Sequence, residues 1–387
     1  MSLATAKDQK LEILTTLRFF AASLVYLSHY GPEVLTGSPF WVQGFTRHGY
    51  RAVLFFFVLS GFVLAYNYCV PEDEGGMKVS RKGFWVARIS RIYPIYLISI
   101  VLALPAFAYR AFEVNTVSRP EFVTGCVCVP VLLQAWVPLV AVSWNIPAWS
   151  LSVEAFFYVM FPWLARWVAR KRPLNAVVFG LALVWGCELL RNGVAAQLQG
   201  DAAVPEHGLL HNFLNYFPLF HIPSFFLGMC LGIVFRRGEY QNAKLGSFGF
   251  NILLAALCVL LSLKQIMPNV LYSKAVLIPL FGMIIVLGAL ASQGDHPILG
   301  HPWLVRLGDA SYGFYILHDP CSCWFSWFMK KVAGLEQWQT NLWYVLGLYL
   351  LIWGISLASF EFLEKPGRRM IRAWMDPDMK RRTANPN

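Results

Sequence analysis

Charged side chains are scarce in this chain. Asp, Glu, Lys and Arg make up 14% of its 387 residues, whereas soluble globular proteins carry about 25%. Hydrophobic residues make up 57% and are concentrated in long runs. This balance excludes an ordinary soluble fold and indicates a polytopic membrane protein.

Other absences narrow the class. The first apolar run contains Arg18 and leads into further apolar runs, so it lacks the pattern of a cleavable signal peptide and is predicted to be a retained helix. None of the cysteines forms the C-x₂-C pair of a zinc or redox motif, and no metal is expected. No internal repeat is visible, and no loop is long enough for a soluble domain. We assign the net charge of +11 to basic cytoplasmic loops rather than to nucleic-acid binding.

The apolar runs predict an all-α membrane bundle. A helix needs about 20 apolar residues to cross a bilayer, which predicts about ten transmembrane helices here. The predicted spans are 11–30, 50–68, 91–109, 150–169, 174–190, 215–235, 247–264, 274–291, 311–329 and 342–362. A further stretch, 122–138, has Pro130 in its middle, which costs about 3 kcal/mol in a helix interior. We predict that 122–138 is re-entrant or lies on the surface.

Loop charge sets the expected orientation. With both termini in the cytoplasm, the main basic clusters all fall on the cytoplasmic side, as the positive-inside rule requires. These clusters are 78–91, 170–172, 236–237 and 365–374. The opposite side keeps only scattered charges, among them Arg51, Arg191, Lys264 and Lys274. At the end of the last span, Glu361 and Glu364 can pair with the basic flank. We expect residues 1–370 to form a single transmembrane domain and 371–387 a short basic cytoplasmic tail, with no fused extracytoplasmic domain.

The first predicted span carries an arginine and a histidine. Arg18 and His29 are eleven positions apart, which places them within about 20° on one helix face and about 16 Å apart along the axis. A charged residue inside a membrane helix indicates function by default. The alternative is an arginine that extends to the interface and a histidine that ends the helix.

Three other polar groups lie in or beside apolar runs. Arg88 and Arg91 are i,i+3 neighbours suited to a phosphate or pyrophosphate, or to simple membrane anchoring. A second group forms an i,i+4,i+8 stripe in which a carboxylate at the level of His29 either orients an imidazole or is a structural partner. Its members are Ser150, Glu154 and Tyr158. The third group is predicted to share a helix face, with Asp309 capping the helix start, and either packs or functions. It consists of Ser311, Tyr315 and His318.

Taken together and in order, these stretches resemble the acyltransferase-3 family of integral membrane acyltransferases. The resemblance covers about residues 10–370. It rests on R-x₁₀-H (Arg18, His29), "FFFVLSGFVLAY" (55–66), "RISRIYPIY" (88–96), "WSLSVEAFFYVMFP" (149–162), "SYGFYILH" (311–318) and "EKP" (364–366). One departure from the family pattern is His221, in "FHIPSFFLGM" (220–229).

The resemblance implies a bacterial inner-membrane enzyme that takes an acyl group, usually acetyl, from acyl-CoA. It implies a catalytic His29, essential Arg18, Arg88 and Arg91, and a site that includes Glu154. The acceptor in the family is commonly a glycan hydroxyl, as in lipopolysaccharide or other polysaccharide, and in some relatives a macrolide or lipid.

For this chain we predict that Arg18, Arg88 and Arg91 bind acetyl-CoA or another acyl-CoA. His29 then acts as general base or as acyl carrier. Further candidates, some of them for stabilising the oxyanion, are Ser150, Ser152, Tyr158, Tyr315, His318 and the backbone of 122–138. A transporter or flippase and a non-catalytic scaffold are the competing classes.

Overall fold

The fold is described from a computed structural model of the chain. The structure describes residues 10–70, 76–199, 208–238, 243–294 and 296–375. Regular secondary structure in these residues is helical, apart from an isolated β-bridge between Cys69 and Met77. The predicted all-α class is therefore confirmed for the described residues.

Fourteen α-helices lie in the described part of the chain. They are α1 (Glu12–Val34), α2 (Phe40–Thr46), α3 (Gly49–Tyr68), α4 (Arg81–Phe112), α5 (Arg119–Cys128), α6 (Trp149–Ala169), α7 (Pro173–Gln199), α8 (Leu209–Tyr216), α9 (Ile222–Arg236), α10 (Ala243–Ser262), α11 (Lys274–Ala291), α12 (Pro302–Lys331), α13 (Leu342–Ser359) and α14 (Lys365–Met375). A π-helical turn, Phe360–Glu364, joins α13 to α14.

Six helical stretches of the described residues are long and apolar enough to cross a membrane. They are Gly49–Tyr68, Arg81–Phe112, Ile146–Ala169, Pro173–Leu198, Lys274–Ala291 and Leu342–Met375. Ile222–Arg236 and Gly246–Ser262 are apolar but shorter. The chain is thus a multi-pass helical membrane protein, while the count of ten spans and the cytoplasmic termini stay predictions.

Two local predictions are corrected by the helix bounds. The predicted span 215–235 is interrupted, since α8 ends at Tyr216 and a 3₁₀ turn, Pro218–Phe220, precedes α9. Pro218 has no amide hydrogen to donate to a helical hydrogen bond, which favours a break at this point. Asp309 does not cap a helix start, because α12 begins at Pro302 and places Asp309 in its interior.

The chain divides into two compact units. Unit 1 comprises 1–78, 163–194 and 221–311, and unit 2 comprises 79–162, 195–220 and 312–387. The predicted tail 371–387 continues α14 as far as Met375, and the rest of it lies outside the described residues.

In unit 1, α3 and α9 pack backbone against backbone. A Cβ atom on Gly61 would lie 2.0 Å from the carbonyl oxygen of Phe225, and one on Gly228 would lie 2.0 Å from that of Val58. Gly228 and Gly232 form a G-x-x-x-G pair, the spacing that lets membrane helices approach closely. Glycine is therefore required along this contact, because any side chain would force the helices apart.

Close contacts at glycine also hold α1 within unit 1. A Cβ atom on Gly308 would lie 2.0 Å from the carbonyl oxygen of Thr15, and one on Gly49 would lie 1.8 Å from the Ser28 hydroxyl oxygen. Thr16 also donates a 2.6 Å hydrogen bond to the carbonyl of Leu299. Both ends of α1 are thus held by close contacts within unit 1.

In unit 2, the stretch 122–138 is broken, as Pro130 predicts. Helix α5 ends at Cys128, and a 3₁₀ turn, Gln134–Trp136, follows a short link in which Leu132 has a φ of 60°. Such a φ is uncommon for a leucine and marks local backbone strain. Val129 and Leu132 of this link are buried, and side chains of α4 and α6 bind their carbonyl oxygens. Protein contacts of this kind are what irregular backbone requires inside a membrane.

Candidate functional site

Arg88 and Tyr158 lie in contact in unit 2. The Arg88 guanidinium carbon is 5.8 Å from the ring centres of both Phe84 and Tyr158. The Trp85 indole donates a 3.0 Å hydrogen bond to the carbonyl of Tyr158, which ties the start of α4 to α6. Arg88 is only 9% exposed, so its charge is held inside the protein by aromatic faces that favour a cation.

Glu154 joins this group through Tyr158. The Tyr158 hydroxyl donates a 2.5 Å hydrogen bond to a carboxylate oxygen of Glu154, one helical turn away on α6. Tyr158 also interacts electrostatically with Arg88 and Arg91. The structure therefore brings together four residues that the sequence analysis assigned to two different motifs.

A second acidic residue completes the cluster on the side of α14. Glu364 is fully buried, accepts a 2.9 Å hydrogen bond from Arg368, and interacts electrostatically with Arg91. The Tyr312 hydroxyl donates a 2.9 Å hydrogen bond to the carbonyl of Ile92, and Tyr312 interacts with both Glu154 and Glu364. We call this set the arginine cluster: Arg88, Arg91, Glu154, Tyr158, Tyr312, Glu364 and Arg368.

Part of the arginine cluster was not predicted from the sequence. The Glu364–Arg368 bond agrees with the predicted pairing of the last acids with the basic flank. Tyr312 and Arg368 were not among the predicted site residues. The spacing between Glu364 and Arg368 could have identified the pair, since i,i+4 side chains meet on a helix. Nothing in the local sequence of Tyr312 shows that it lies beside Ile92.

Ser150 and Tyr315 are brought together in unit 2. Their hydroxyl oxygens are 2.8 Å apart, and both donate to the carbonyl of Pro147, at 2.9 and 3.1 Å. His318 lies one turn further along α12, with its Nδ1 atom 2.7 Å from the carbonyl oxygen of Tyr315. Because a carbonyl only accepts, Nδ1 carries the hydrogen, and Nε2 is the acceptor of the neutral ring.

Ser152 binds the broken segment. Its hydroxyl donates a 2.6 Å hydrogen bond to the carbonyl of Leu132 and accepts one of 3.2 Å from the amide of Ala135. In the same region Gln134 donates to the carbonyl of Ala148 at 2.8 Å. The Ser152 hydroxyl thus binds both the strained residue Leu132 and the 3₁₀ turn that follows the link, which favours a positioning role for Ser152.

Arg18 and His29 lie in unit 1 on one uninterrupted helix, α1. Between them on the same face, Ala22 and Val25 are buried, Arg18 is partly buried, and the His29 side chain is exposed. The face that carries both residues therefore turns toward protein in its middle, and His29 at its end is an exposed residue whose ring is partly desolvated by surrounding protein atoms. The orientation of His29 by Glu154, which lies in unit 2, stays a prediction.

Burial shifts the pKa values of two groups that lie outside the predicted spans, His48 and Tyr272. His48 precedes α3, and its Nε2 atom donates a 2.9 Å hydrogen bond to the carbonyl of Leu261. Burial, with smaller contributions from the cations Arg51 and Lys264, lowers the pKa of His48 to about 4. Burial also raises the pKa of Tyr272, which stacks on His48. Both groups are therefore neutral at pH 7.

In the described part of the chain, His, Cys, Asp and Glu form no group of three able to hold a metal ion.

Guanidinium, carboxylate and phenol groups in mutual contact among long apolar helices are typical of the functional site of a transporter or of an enzyme. Comparison with known proteins decides between these classes. The model of the acyltransferase-3 family, described as an acyltransferase domain, matches residues 11–360. The chain belongs to this family of membrane acyltransferases.

A characterised relative supports the assignment. Acyltransferase MdmB from Streptomyces mycarofaciens is 29% identical over 380 residues, a match that covers 94% of this chain and 92% of that protein. No solved structure matches the chain.

Proposed function

We propose that the chain is an O-acyltransferase that moves an acyl group, in the simplest case acetyl, from cytoplasmic acyl-CoA to a hydroxyl of a cell-envelope or exported glycan. The observation that carries the proposal is the continuity of α1. In a member of an acyltransferase family, one helix bears a partly buried arginine and, eleven residues on, an accessible histidine. About 16 Å of helix separates them.

The arginine cluster suits the phosphates of the donor. Arg88, Arg91 and Arg368 outnumber the two carboxylates of the cluster, so it keeps a net positive charge. Guanidinium groups bind phosphates through paired hydrogen bonds. We assign Arg88 and Arg91 to the anionic end of acyl-CoA, with Arg18 nearer the acyl group.

His29 has the chemistry for the transfer itself. As general base, its imidazole takes the proton of the acceptor hydroxyl while the hydroxyl oxygen attacks the thioester carbonyl carbon. The tetrahedral intermediate then expels the thiolate of CoA, which recovers the proton from the imidazolium. An acyl-histidine intermediate is the alternative: the ring nitrogen attacks the carbonyl carbon and the thiolate of CoA leaves, and the acceptor hydroxyl then attacks the same carbon, loses its proton and displaces the imidazole.

Topology and location complete the proposal. We place the chain in a bacterial inner membrane with both termini in the cytoplasm, because the basic clusters then lie on the cytoplasmic side. Residues 1–370 would act as one catalytic domain.

The test is acetyl transfer from radiolabelled acetyl-CoA by the purified full chain in liposomes, with a candidate glycan as acceptor. We expect His29→Ala to lower the rate at least about 100-fold, the usual contribution of a general base. His301→Ala is the matched control, because His301 is an exposed histidine of the same unit. Arg18→Ala should raise the KM for acetyl-CoA.

Protein-bound label separates the two mechanisms. Acid-labile label on the wild type that is absent from His29→Ala indicates an acyl-histidine, whereas CoA release without bound label indicates a general base. Equal rates in wild type and His29→Ala, across several donors and acceptors, would refute the assignment of His29.

A further inference from the structure

Cations that are scattered in the sequence meet at one end of unit 1. The Arg51 guanidinium lies 5.4 Å and the Lys264 ammonium 4.5 Å from the ring centre of Tyr272. The Lys274 ammonium lies 5.7 Å from the ring centre of Tyr50. Arg191 also interacts electrostatically with Tyr50. We call Tyr50, Arg51, Glu188, Arg191, Lys264, Tyr272 and Lys274 the Lys274 cluster.

Lys274 is the unusual member. It is the first residue of α11 and is only 7% exposed. Its buried ammonium group has no hydrogen-bond partner among the described residues. A buried ammonium without a hydrogen-bond partner is strongly unfavourable, and a bound anion would relieve this cost.

The acidic residue that the described contacts place in this cluster cannot satisfy Lys274 fully. Glu188 is buried and already accepts hydrogen bonds from Arg191, of 3.1 Å to one carboxylate oxygen and 3.2 Å to the other. Its interaction with Lys274 is electrostatic, and Arg191 opposes it with a like charge. Arg191 and Lys274 thus share one carboxylate, which Arg191 holds. Arg51 and Lys264 add two further positive charges beside Tyr272.

Helix ends add to the positive potential. Helices α3 and α11 both begin at the cluster, and the side chains of their N-cap residues, His48 and Ser273, make no capping hydrogen bond. The Ser273 hydroxyl is buried and has no hydrogen-bond partner among the described residues. A helix N-terminus carries partial positive charge and free amide donors, which favours bound anions.

We infer that the Lys274 cluster is a binding site for an oxyanion, a carboxylate or a phosphate, with the Lys274 ammonium as its main contact. Two sources supply this chemistry: an acidic acyl acceptor and the headgroup of an anionic lipid. The first source rests on the proposed function. An acidic acceptor bound at this cluster would lie near His29, because Gly49, next to Tyr50, packs against Ser28, the neighbour of His29.

Binding can be measured without any acyl transfer, so its failure is distinct from a failure of the proposed function. Inorganic phosphate is titrated against the purified full chain in a maltoside detergent at constant ionic strength, and thermal unfolding is followed. We expect a saturable rise in Tm for the wild type and a Kd at least 10-fold higher for Lys274→Met. Lys330→Met, at an exposed lysine of unit 2, should match the wild type.

A second variant tests the charge argument in the opposite direction. Glu188→Gln should release Arg191 and tighten phosphate binding several-fold, and it decides the question if Lys274→Met does not fold. The inference is overturned if phosphate does not bind saturably, or if the folded Lys274→Met or Glu188→Gln binds phosphate as the wild type does.

Competition then identifies the source. Displacement of phosphate by glucuronate, but not by phosphatidylglycerol in the micelles, assigns the site to an acidic sugar. Displacement by phosphatidylglycerol assigns it to a lipid headgroup.

Discussion

The arginine cluster of unit 2 and the Lys274 cluster of unit 1 contain similar groups and pair them differently. At the unit 2 end, three acids each accept a hydrogen bond from a side chain four residues further on. The pairs are Glu154–Tyr158, Glu361–Lys365 and Glu364–Arg368. In unit 1, the cations come from several helices and loops, and two of them, Arg191 and Lys274, share the carboxylate of Glu188. The three acids of unit 2 are thus each bound within a helical segment, whereas the Lys274 ammonium depends on how helices meet.

The largest expected effect comes from breaking a buried pair of unit 2. Glu364→Gln removes the buried carboxylate beside Arg368 and Arg91 and should lower the free energy of unfolding by about 3 kcal/mol, the lower end of the range for a buried pair, since the two cations left without compensation are partly buried. Unfolding in mixed micelles by increasing sodium dodecyl sulfate measures this change.

Glu361→Gln is the matched control for Glu364→Gln. Its pair with Lys365 is also i,i+4 but one-third or more exposed on both sides, where a pair contributes about 0–1 kcal/mol. Equal losses for the two variants would show that burial does not separate them.

A smaller effect is expected from Arg88, whose charge the arginine cluster holds for a donor. Arg88→Ala should raise the KM for acyl-CoA about 10- to 100-fold, because a hydrogen bond to a charged group contributes about 1.5–3 kcal/mol. Steady-state kinetics at varied acetyl-CoA measures it.

Arg119→Ala provides the comparison for Arg88→Ala. Arg119 also lies over an aromatic ring of unit 2, that of Phe112 at 4.6 Å, but is exposed, and its loss should leave the KM unchanged. A KM that Arg88→Ala does not alter would remove this residue from the donor site.

The smallest predicted effect concerns His48, beside the cations of unit 1. Its folded-state pKa of about 4 lies below the ordinary value of 6.5, so the unfolded chain takes up a proton first as the pH falls. Stability is therefore lost between about pH 6.5 and 4, by about 1.4 kcal/mol at pH 5.5. The decrease in Tm from pH 7.5 to pH 5.5 should shrink in His48→Gln but not in His301→Gln, at an exposed histidine. An unchanged decrease in His48→Gln would contradict the low pKa.

The comparison also shows what sequence can predict. The helical class, the break near Pro130 and the pairing of the last acids with their basic flank follow from apolar run length, proline chemistry and i,i+4 spacing. Each of these signals is local. The same reasoning described Arg51, Arg191, Lys264 and Lys274 only as scattered charges.

Contacts between helices account for what was missed. Lys274 reaches Tyr50 across more than two hundred residues of sequence, and Tyr312 binds the backbone of Ile92. Neither contact produces a periodic pattern in the sequence. The break between α8 and α9 was predictable in principle from Pro218, but the apolar composition of 215–235 outweighed it. Asp309 was misplaced because the polar start of α12, outside the apolar run, is still helical.

The glycine contact between α3 and α9 has a consequence for how the protein is made. About 150 residues separate the end of α3 from the start of α9, which at 5–20 residues per second is about 8–30 s of translation. Through that interval the groove beside Gly61 has no partner helix, and lipid tails or the insertion machinery must fill it. During biogenesis α3 is therefore without its partner α9 for this interval. A substitution at Gly228 would first impair the packing of α9 on α3 while the chain is still bound to the ribosome.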